Sequence, residues 1–198
     1  MTKEMQLLGA AASNDAAGIG ATLAGGADIE TRDSQGRTAL LVATHHNAIE
    51  AARALIDAGA DVNAKDNISD SPYLYAGAEG RLEILRLTLA NGADLGSVNR
   101  YGGTALIPAA HHGHVETVRE LLQTGIDIDH VNNLGWTALL EAIILGNGSH
   151  TYIEIVRLLI EAGADLNLAD GEGISPLAHA TSQNYTEIAS LLRQAGAR

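Results

Sequence analysis

The chain has 198 residues, 46% of them hydrophobic, with 12 Lys and Arg against 24 Asp and Glu for a formal net charge of -12. That is enough apolar material for a folded protein and excludes disordered and fibrous classes. The acidic balance, with basic residues scattered singly, argues against nucleic acid or an anionic membrane as partner. The absence of cysteine excludes a disulfide framework, a thiolate metal site and a thiol nucleophile.

From the N-terminus, Lys3 and the apolar run 7–12 give way at once to Ser13, Asn14 and Asp15. That run is too short for the apolar core of a secretion signal. No stretch approaches the roughly 20 apolar residues of a membrane span, and a cytoplasmic location is expected. With five Tyr, one Trp and no Phe, the core must be built from Leu, Ile, Val and Ala, whose small volume suits closely spaced helices.

A repeat then runs along the chain. Gly26-Ala27-Asp28, Gly59-Ala60-Asp61, Gly92-Ala93-Asp94, Gly125-Ile126-Asp127, Gly163-Ala164-Asp165 and Gly196-Ala197-Arg198 succeed one another at spacings of 33, 33, 33, 38 and 33. A second marker, Thr38, Ser71, Thr104, Thr137 and Ser175, keeps the same spacing. Each period predicts two short helices. The Thr or Ser hydroxyl caps the first helix, and Pro72 and Pro176 sit in its first turn, where a missing N–H costs nothing. The second helix, as over 49–58 or 115–124, ends at a glycine able to enter the left-handed region. Asp, Asn and Gly clusters such as Asp33-Ser34-Gln35-Gly36 predict tight turns between units. One helix pair cannot bury its apolar face alone, so the units must stack into a solenoid.

The runs Thr38-Ala39-Leu40-Leu41-Val42-Ala43, Thr104-Ala105-Leu106-Ile107-Pro108-Ala109, Thr137-Ala138-Leu139-Leu140-Glu141-Ala142 and Ser175-Pro176-Leu177-Ala178-His179-Ala180 resemble the Thr-Pro-Leu-His-x-Ala signature of the ankyrin repeat. The resemblance covers nearly the whole chain and implies an all-α ankyrin-repeat solenoid in one domain, with six units counting both caps: 1–32, 33–65, 66–98, 99–131, 132–169 and 170–198. The run from Asn132 to Ile160 with its enlarged turn looks like that of small bacterial YahD-like ankyrin proteins. None of the five signatures has His at its fourth place, so the bonds that residue makes between repeats in the family are not expected here. The third repeat departs most: Ser69 replaces the turn glycine and Thr88 stands where Leu55, Leu121 and Leu159 sit, which predicts local loosening. At the ends, the first unit lacks a clear signature, and Arg193 takes the apolar place of Ile56, Leu89, Leu122 and Ile160. In the 38-residue unit five extra residues fall within 146–152, which predicts a longer, flexible, polar turn serving either as a tolerated insertion or as a binding loop.

Chemistry is sparse. His111-His112-Gly113-His114, with His45-His46 two repeats earlier, offers imidazoles but no i, i+4 pair that would face one zinc ion. The resemblance also gives Gly113-His114 a plain role at the turn between helices. No Gly-x-Ser-x-Gly elbow or Walker-type Gly-Lys-Ser/Thr occurs, and Gly18-x-Gly20 and Gly171-x-Gly173 lack the rest of a dinucleotide site. The resemblance places Asn63 and Asn167 where asparaginyl hydroxylases modify ankyrin repeats, with stabilisation of the turn as the other reading. No cofactor and no enzymatic activity are expected.

The resemblance implies a concave surface formed by turn tips and first helices. Counting from the capping Thr or Ser, three places before it lie Gln35, Ile68, Tyr101, Leu134 and Glu172, and one place before it stands Trp136. Seven and eight places after it come His45 and His46, His111 and His112, then Ile144 and Leu145. Apolar residues at a turn tip are unexpected unless something covers them. The expected partner-binding stripe is therefore Ile68, Tyr101, Leu134, Trp136, Ile144 and Leu145, flanked by Arg100, His111, His112, His45 and His46. The other reading has Trp136 and Leu134 packing on adjacent turns and the enlarged turn covering Ile144 and Leu145. If the histidines lie near carboxylates such as Glu79, binding would change between pH 5 and 7. The function expected is non-catalytic binding of another protein, by a monomer rather than a homodimer. The alternative is a small ligand or metal held by the histidine-containing groove.

Overall fold

A computed structural model describes residues 2–198. They form twelve helices in chain order: α1 (Lys3–Ala12), α2 (Ala16–Ala24), α3 (Ala39–His45), α4 (Ile49–Asp57), α5 (Pro72–Ala78) and α6 (Leu82–Ala90), followed by α7 (Leu106–His111), α8 (Val115–Leu122), α9 (Ala138–Ile144), α10 (His150–Glu161), α11 (Pro176–Ser182) and α12 (Thr186–Gln194). Among the described residues the sole β-type pairing is an isolated bridge between Arg32 and Thr38. The helices gather into two compact units, one reaching to Gly77 and including Arg81–Arg100, the other comprising Ala78–Gly80 and Tyr101–Arg198.

Within each unit the first helices of successive repeats pack on one another, as do the second helices. In the first unit α1 packs on α3, and α2 and α6 pack on α4. In the second, α9 packs on α7 and α11, and α10 on α8 and α12. The close approach follows from alanine. Ala39, Ala43, Ala51 and Ala52 in the first unit, and Ala105, Ala109, Ala138 and Ala142 in the second, are fully buried between helices. Leucines then fill the layer: Leu40, Leu41 and Leu55 in one unit, Leu106, Leu121, Leu139 and Leu140 in the other. Burying each such side chain contributes about 1.5–3 kcal/mol.

The hairpins before α3, α5, α9 and α11 are each built on one residue five places ahead of the cap. Asp33, Asp66, Asn132 and Asp170 each accept two backbone N–H bonds on Oδ1, from Gln35 and Arg37, Ile68 and Asp70, Leu134 and Trp136, and Glu172 and Ile174. The tip that results needs a left-handed residue. Gly36, Gly102, Gly135 and Gly173 supply it with φ of 74–80°, whereas Ser69 is forced there at φ 68°. The departure of the third repeat is thus a local backbone strain. Thr88, by contrast, is fully buried with its hydroxyl donating to Leu85 O at 2.8 Å, so that polar substitution leaves no orphan group.

Four of the five predicted caps form: Leu41, Leu74, Leu140 and Ala178 donate their N–H to Thr38, Ser71, Thr137 and Ser175 hydroxyls at 3.2–3.3 Å. Thr104 does not cap. In the other repeats the residue four places on donates to the cap carbonyl, as Val42 N does to Thr38 O at 2.9 Å and Glu141 N to Thr137 O at 2.9 Å. In the fourth repeat that residue is Pro108, which has no N–H. Ile107 N is diverted to Thr104 O at 3.3 Å, and the buried Thr104 hydroxyl has no hydrogen-bond partner in the protein.

Two more expectations are corrected. Second helices do end at left-handed glycines Gly26, Gly59, Gly92, Gly163 and Gly196, but Gly125 is not left-handed and α8 stops at Leu122 rather than Thr124. The Thr124 hydroxyl donates to Leu121 O at 2.6 Å and accepts from Ile126 N at 3.2 Å. It thereby intercepts the bond that Ala60 N makes to Leu55 O, or Ala164 N to Leu159 O. The insertion at 146–152 is not a free loop either. His150, Thr151 and Tyr152 add a turn to the start of α10, which runs for 12 residues against 8 in α8. The remaining turn is pinned by two tyrosines: Tyr152 donates to His111 O at 2.7 Å and Tyr185 to Gly146 O at 2.9 Å. The first repeat, which lacks the usual signature, caps α1 through Thr2, whose side chain accepts from Met5 N.

Candidate functional site

In the second unit the hairpins and first helices are tied together through side chains four places after the cap. Asn132 Nδ2 donates to Glu141 Oε1 at 2.8 Å, and His179 Nε2 donates to Asp170 Oδ2 at 2.7 Å. These links define the hairpin-facing side of α9 and α11. Ile144 and Leu145 lie three and four residues beyond Glu141 and so share its face. The equivalent place on α7 holds His111, whose Nδ1 lies 3.6 Å from the other carboxylate oxygen of Glu141. Successive hairpins also stack: Asn133 N donates to Tyr101 O at 2.9 Å, and a Cβ on Gly135 would stand 3.1 Å from Gly171 N.

This side of the second unit exposes large apolar side chains. Tyr101 is 55% exposed, Leu134 57% and Leu145 42%, while Trp136 and Ile144 are half-buried. The enlarged turn therefore leaves Leu145 uncovered. His112 is exposed and its Nδ1 donates to Ala78 O at 2.7 Å. Its ring lies 4.7 Å from that of half-buried His111 and 5.9 Å, edge-on, from His114. His114 packs over Gly80, where a Cβ would come within 2.6 Å of its ring. The remaining predicted residues lie in the first unit. Ile68 is 49% exposed beside a shallow depression lined by Ser34, Gln35, Asp66 and Asn67. Arg100 is exposed and lies 3.7 Å from Asp70, His45 stacks on Tyr75 with ring centroids 3.7 Å apart, and His46 is exposed at the end of α3.

The carboxylate beside His111 is Glu141, a residue that sequence reasoning did not single out. The residue is 6% exposed, and burial pushes its pKa up against the opposing effects of the Asn132 hydrogen bond and the charge on His112. Burial, helped by neighbouring His112, holds the His111 pKa below its usual value. Burial thus works against the charged form of both groups, which weakens the 3.6 Å approach as an ion pair. Asp170 moves the other way: the Ile174 N–H and the bond from His179 hold its carboxyl below the ordinary aspartate value. The available signal was a carboxylate inside the signature run Thr137-Ala138-Leu139-Leu140-Glu141, at a place held by Val42, Tyr75 and Pro108 elsewhere.

Among the described residues no group of three or more His, Asp or Glu is placed to hold a metal ion, which gives the metal-site alternative no support. No described helix is long and apolar enough to cross a membrane. Asn63 is occupied in its turn, donating to Gly92 O at 2.9 Å and accepting from Asp94 N at 2.9 Å, and Asn167 accepts from Arg198 N at 2.8 Å.

Family models for ankyrin repeats match residues 2–66 and 73–170, and again 148–193. Among curated proteins nothing matches the chain. Solved structures do. An ankyrin repeat domain from Acinetobacter baumannii AYE is 63% identical, with a TM-score of 0.94 over 97% of this chain and 98% of that one. The ankyrin repeat protein EF0377 is 47% identical, with a TM-score of 0.91 over 96% of each chain. The ankyrin repeat domain of Bcl-3, a member of the IkappaB protein family, is 27% identical, with a TM-score of 0.87 over 98% of this chain and 86% of that one. The helix pairs, the capped first helices, the left-handed glycines and these matches all describe one architecture, and the chain belongs to the ankyrin-repeat family.

Proposed function

We propose that the protein is a non-catalytic interaction module that binds another protein through its hairpin tips and the hairpin-facing side of its first helices. Ankyrin repeats are in general protein-binding scaffolds, which supports the coarse reading. The observation that carries the finer one is the exposure of Tyr101, Leu134 and Leu145 on one side of a rigid stack. The backbone of each is anchored by a hydrogen bond: Tyr101 O accepts from Asn133 N, Leu134 N donates to Asn132 Oδ1 and Leu145 N to Glu141 O. Exposed aromatic and aliphatic side chains on a preorganised surface lose little entropy on binding and supply most of an interface's energy. The first unit offers its own exposed Ile68 and Arg100 with His45 and His46 as polar residues, and in the second unit His111 and His112 take the polar role.

The test compares the wild-type protein with a Tyr101→Ala/Trp136→Ala variant as bait in lysate of the source organism, after circular dichroism and thermal unfolding have shown that the variant folds. Capture of a specific protein by the wild type alone is the expected result. Capture by neither form overturns the reading, and a large loss of thermal stability in Trp136→Ala removes Trp136 from the surface.

A further inference from the structure

The charges of the second unit are sorted by side. It contains twelve Asp and Glu, four Arg and no Lys. Arg119, Arg157 and Arg193 all lie on second helices, α8, α10 and α12, and Arg198 is the last residue. Arg119 and Arg157 are further engaged by Glu154 at 3.2 and 3.0 Å. Apart from Arg100, which directly precedes Tyr101 and lies 3.7 Å from Asp70, the hairpin tips and the hairpin-facing side of α7, α9 and α11 therefore carry no permanent cation. They carry the exposed apolar residues Tyr101, Leu134 and Leu145, half-buried Trp136, the exposed carboxylate of Glu172 at the next tip after Leu134, and Glu141 behind them.

A surface that combines apolar anchors with a large excess of acidic over basic residues selects a partner of opposite charge, because complementary potential sets both encounter rate and specificity. A second copy of this chain would bring the same acidic side and be repelled. We propose that this side of the second unit takes a peptide segment of a partner protein that presents apolar side chains interspersed with Lys or Arg. The apolar side chains lie against Tyr101, Leu134 and Leu145, and the cations face Glu172 and the acidic hairpins. This rests on the interaction-module reading and names the chemistry of its partner.

The test is to pan a random peptide display library on the full-length protein and to synthesise the recovered sequences. Trp136, the single tryptophan, reports their binding by its fluorescence. Recovered peptides are expected to carry net positive charge together with aromatic or aliphatic residues. Their affinity should fall about tenfold in a Tyr101→Ala/Leu134→Ala variant, and about three- to tenfold between low salt and about 0.3 M NaCl. Neutral or acidic recovered peptides, affinity unchanged in the folded double variant, or no enrichment over a protein-free surface each overturn the proposal. Those results leave the interaction-module reading standing if lysate capture succeeds, whereas failed capture alongside cationic peptide binding overturns that reading instead.

Discussion

Replacing Pro108 by Ala should stabilise the protein, and the size of the gain follows from the bonds that the proline displaces. With an N–H at position 108, the fourth repeat can adopt the pattern of its neighbours. Residue 108 would donate to Thr104 O, as His179 N does to Ser175 O at 3.0 Å, releasing Ile107 N to the Thr104 hydroxyl as Leu140 N is bonded to Thr137. One backbone bond is gained at about 0.5–1.5 kcal/mol, and a buried hydroxyl now without a partner is satisfied, worth about 1–3 kcal/mol. Against this stands the freedom that alanine restores to the unfolded chain, about 0.4–1 kcal/mol. The net expectation is about 0.5–4 kcal/mol, or about 1–16 °C in Tm for a chain of this size. A double-mutant cycle isolates the cause. Thr104→Val should be nearly neutral or stabilising in the parent, where the hydroxyl bonds nothing, and should cost about 1 kcal/mol in the Pro108→Ala background, where it caps. Urea unfolding of the four proteins measures this, with amide exchange at Ile107 as the local readout. An equal cost of Thr104→Val in both backgrounds would refute the reasoning.

Three further substitutions test the strained and buried polar places. Ser69→Gly should stabilise by about 0.5–1 kcal/mol in urea unfolding, because serine sits at φ 68° where the other hairpins use glycine; a loss of stability would show that the Ser69 side chain matters more than its backbone. Tyr73 is fully buried with its hydroxyl unpartnered, and burial, with the charge on Asp94, pushes its pKa far up. Tyr73→Phe should therefore be neutral to about 1 kcal/mol stabilising, against the loss that a hidden hydrogen bond would produce. For Glu141 the native pKa is raised, so the native state takes up a proton more readily than the unfolded chain and stability falls as pH rises from the unfolded value of 4.5 through the native one. Glu141→Gln should raise stability at pH 7 and lose that advantage near pH 4. His111 has the opposite slope: with its native pKa below 6.5, stability is lost as pH falls below 6.5. Thermal unfolding across this range in His111→Gln should show a shallower fall, and an unchanged profile would remove His111 from the account.

The repeat was legible because two independent markers shared one spacing, and the caps, turn glycines and helix pairs follow from that spacing alone. What escaped was competition between local bonds. Thr104 carries the right hydroxyl at the right place, but the outcome is decided four residues later by the N–H that Pro108 lacks. Gly125 is the right glycine, yet the Thr124 hydroxyl takes the carbonyl that a left-handed cap would have filled. The insertion at 146–152 reads as loop from its glycines, but those account for only part of it. His150, Thr151 and Tyr152 join α10 because the Tyr152 hydroxyl finds His111 O and fixes the helix start. For the groove, the sequence locates Tyr101, Leu134 and Leu145 by place in the repeat. It does not disclose Glu141, because a carboxylate in an amphipathic run reads as solvent-facing until its hairpin partner Asn132 is known.

The same two places, five before the cap and four after it, carry different chemistry in each repeat, and this separates what holds the fold from what tunes it. At the first place one oxygen accepts two hairpin N–H bonds in four of the repeats, so Asp33, Asp66, Asn132 and Asp170 are equivalent as builders of the turn. The second atom of each side chain is then free to select a neighbour. Asp33 takes Arg37 within its own hairpin, Asp170 takes His179, and Asn132, bringing a donor, takes the buried Glu141. An aspartate at position 132 would set a second carboxylate against Glu141 in a site 6% exposed, and like charges at that distance cannot both ionise. The choice of Asn over Asp is therefore dictated by Glu141, and Glu141 in turn stands where His111 can reach it. A framework specified by one oxygen leaves the other position of each side chain to set the polarity of the hairpin-facing side, repeat by repeat.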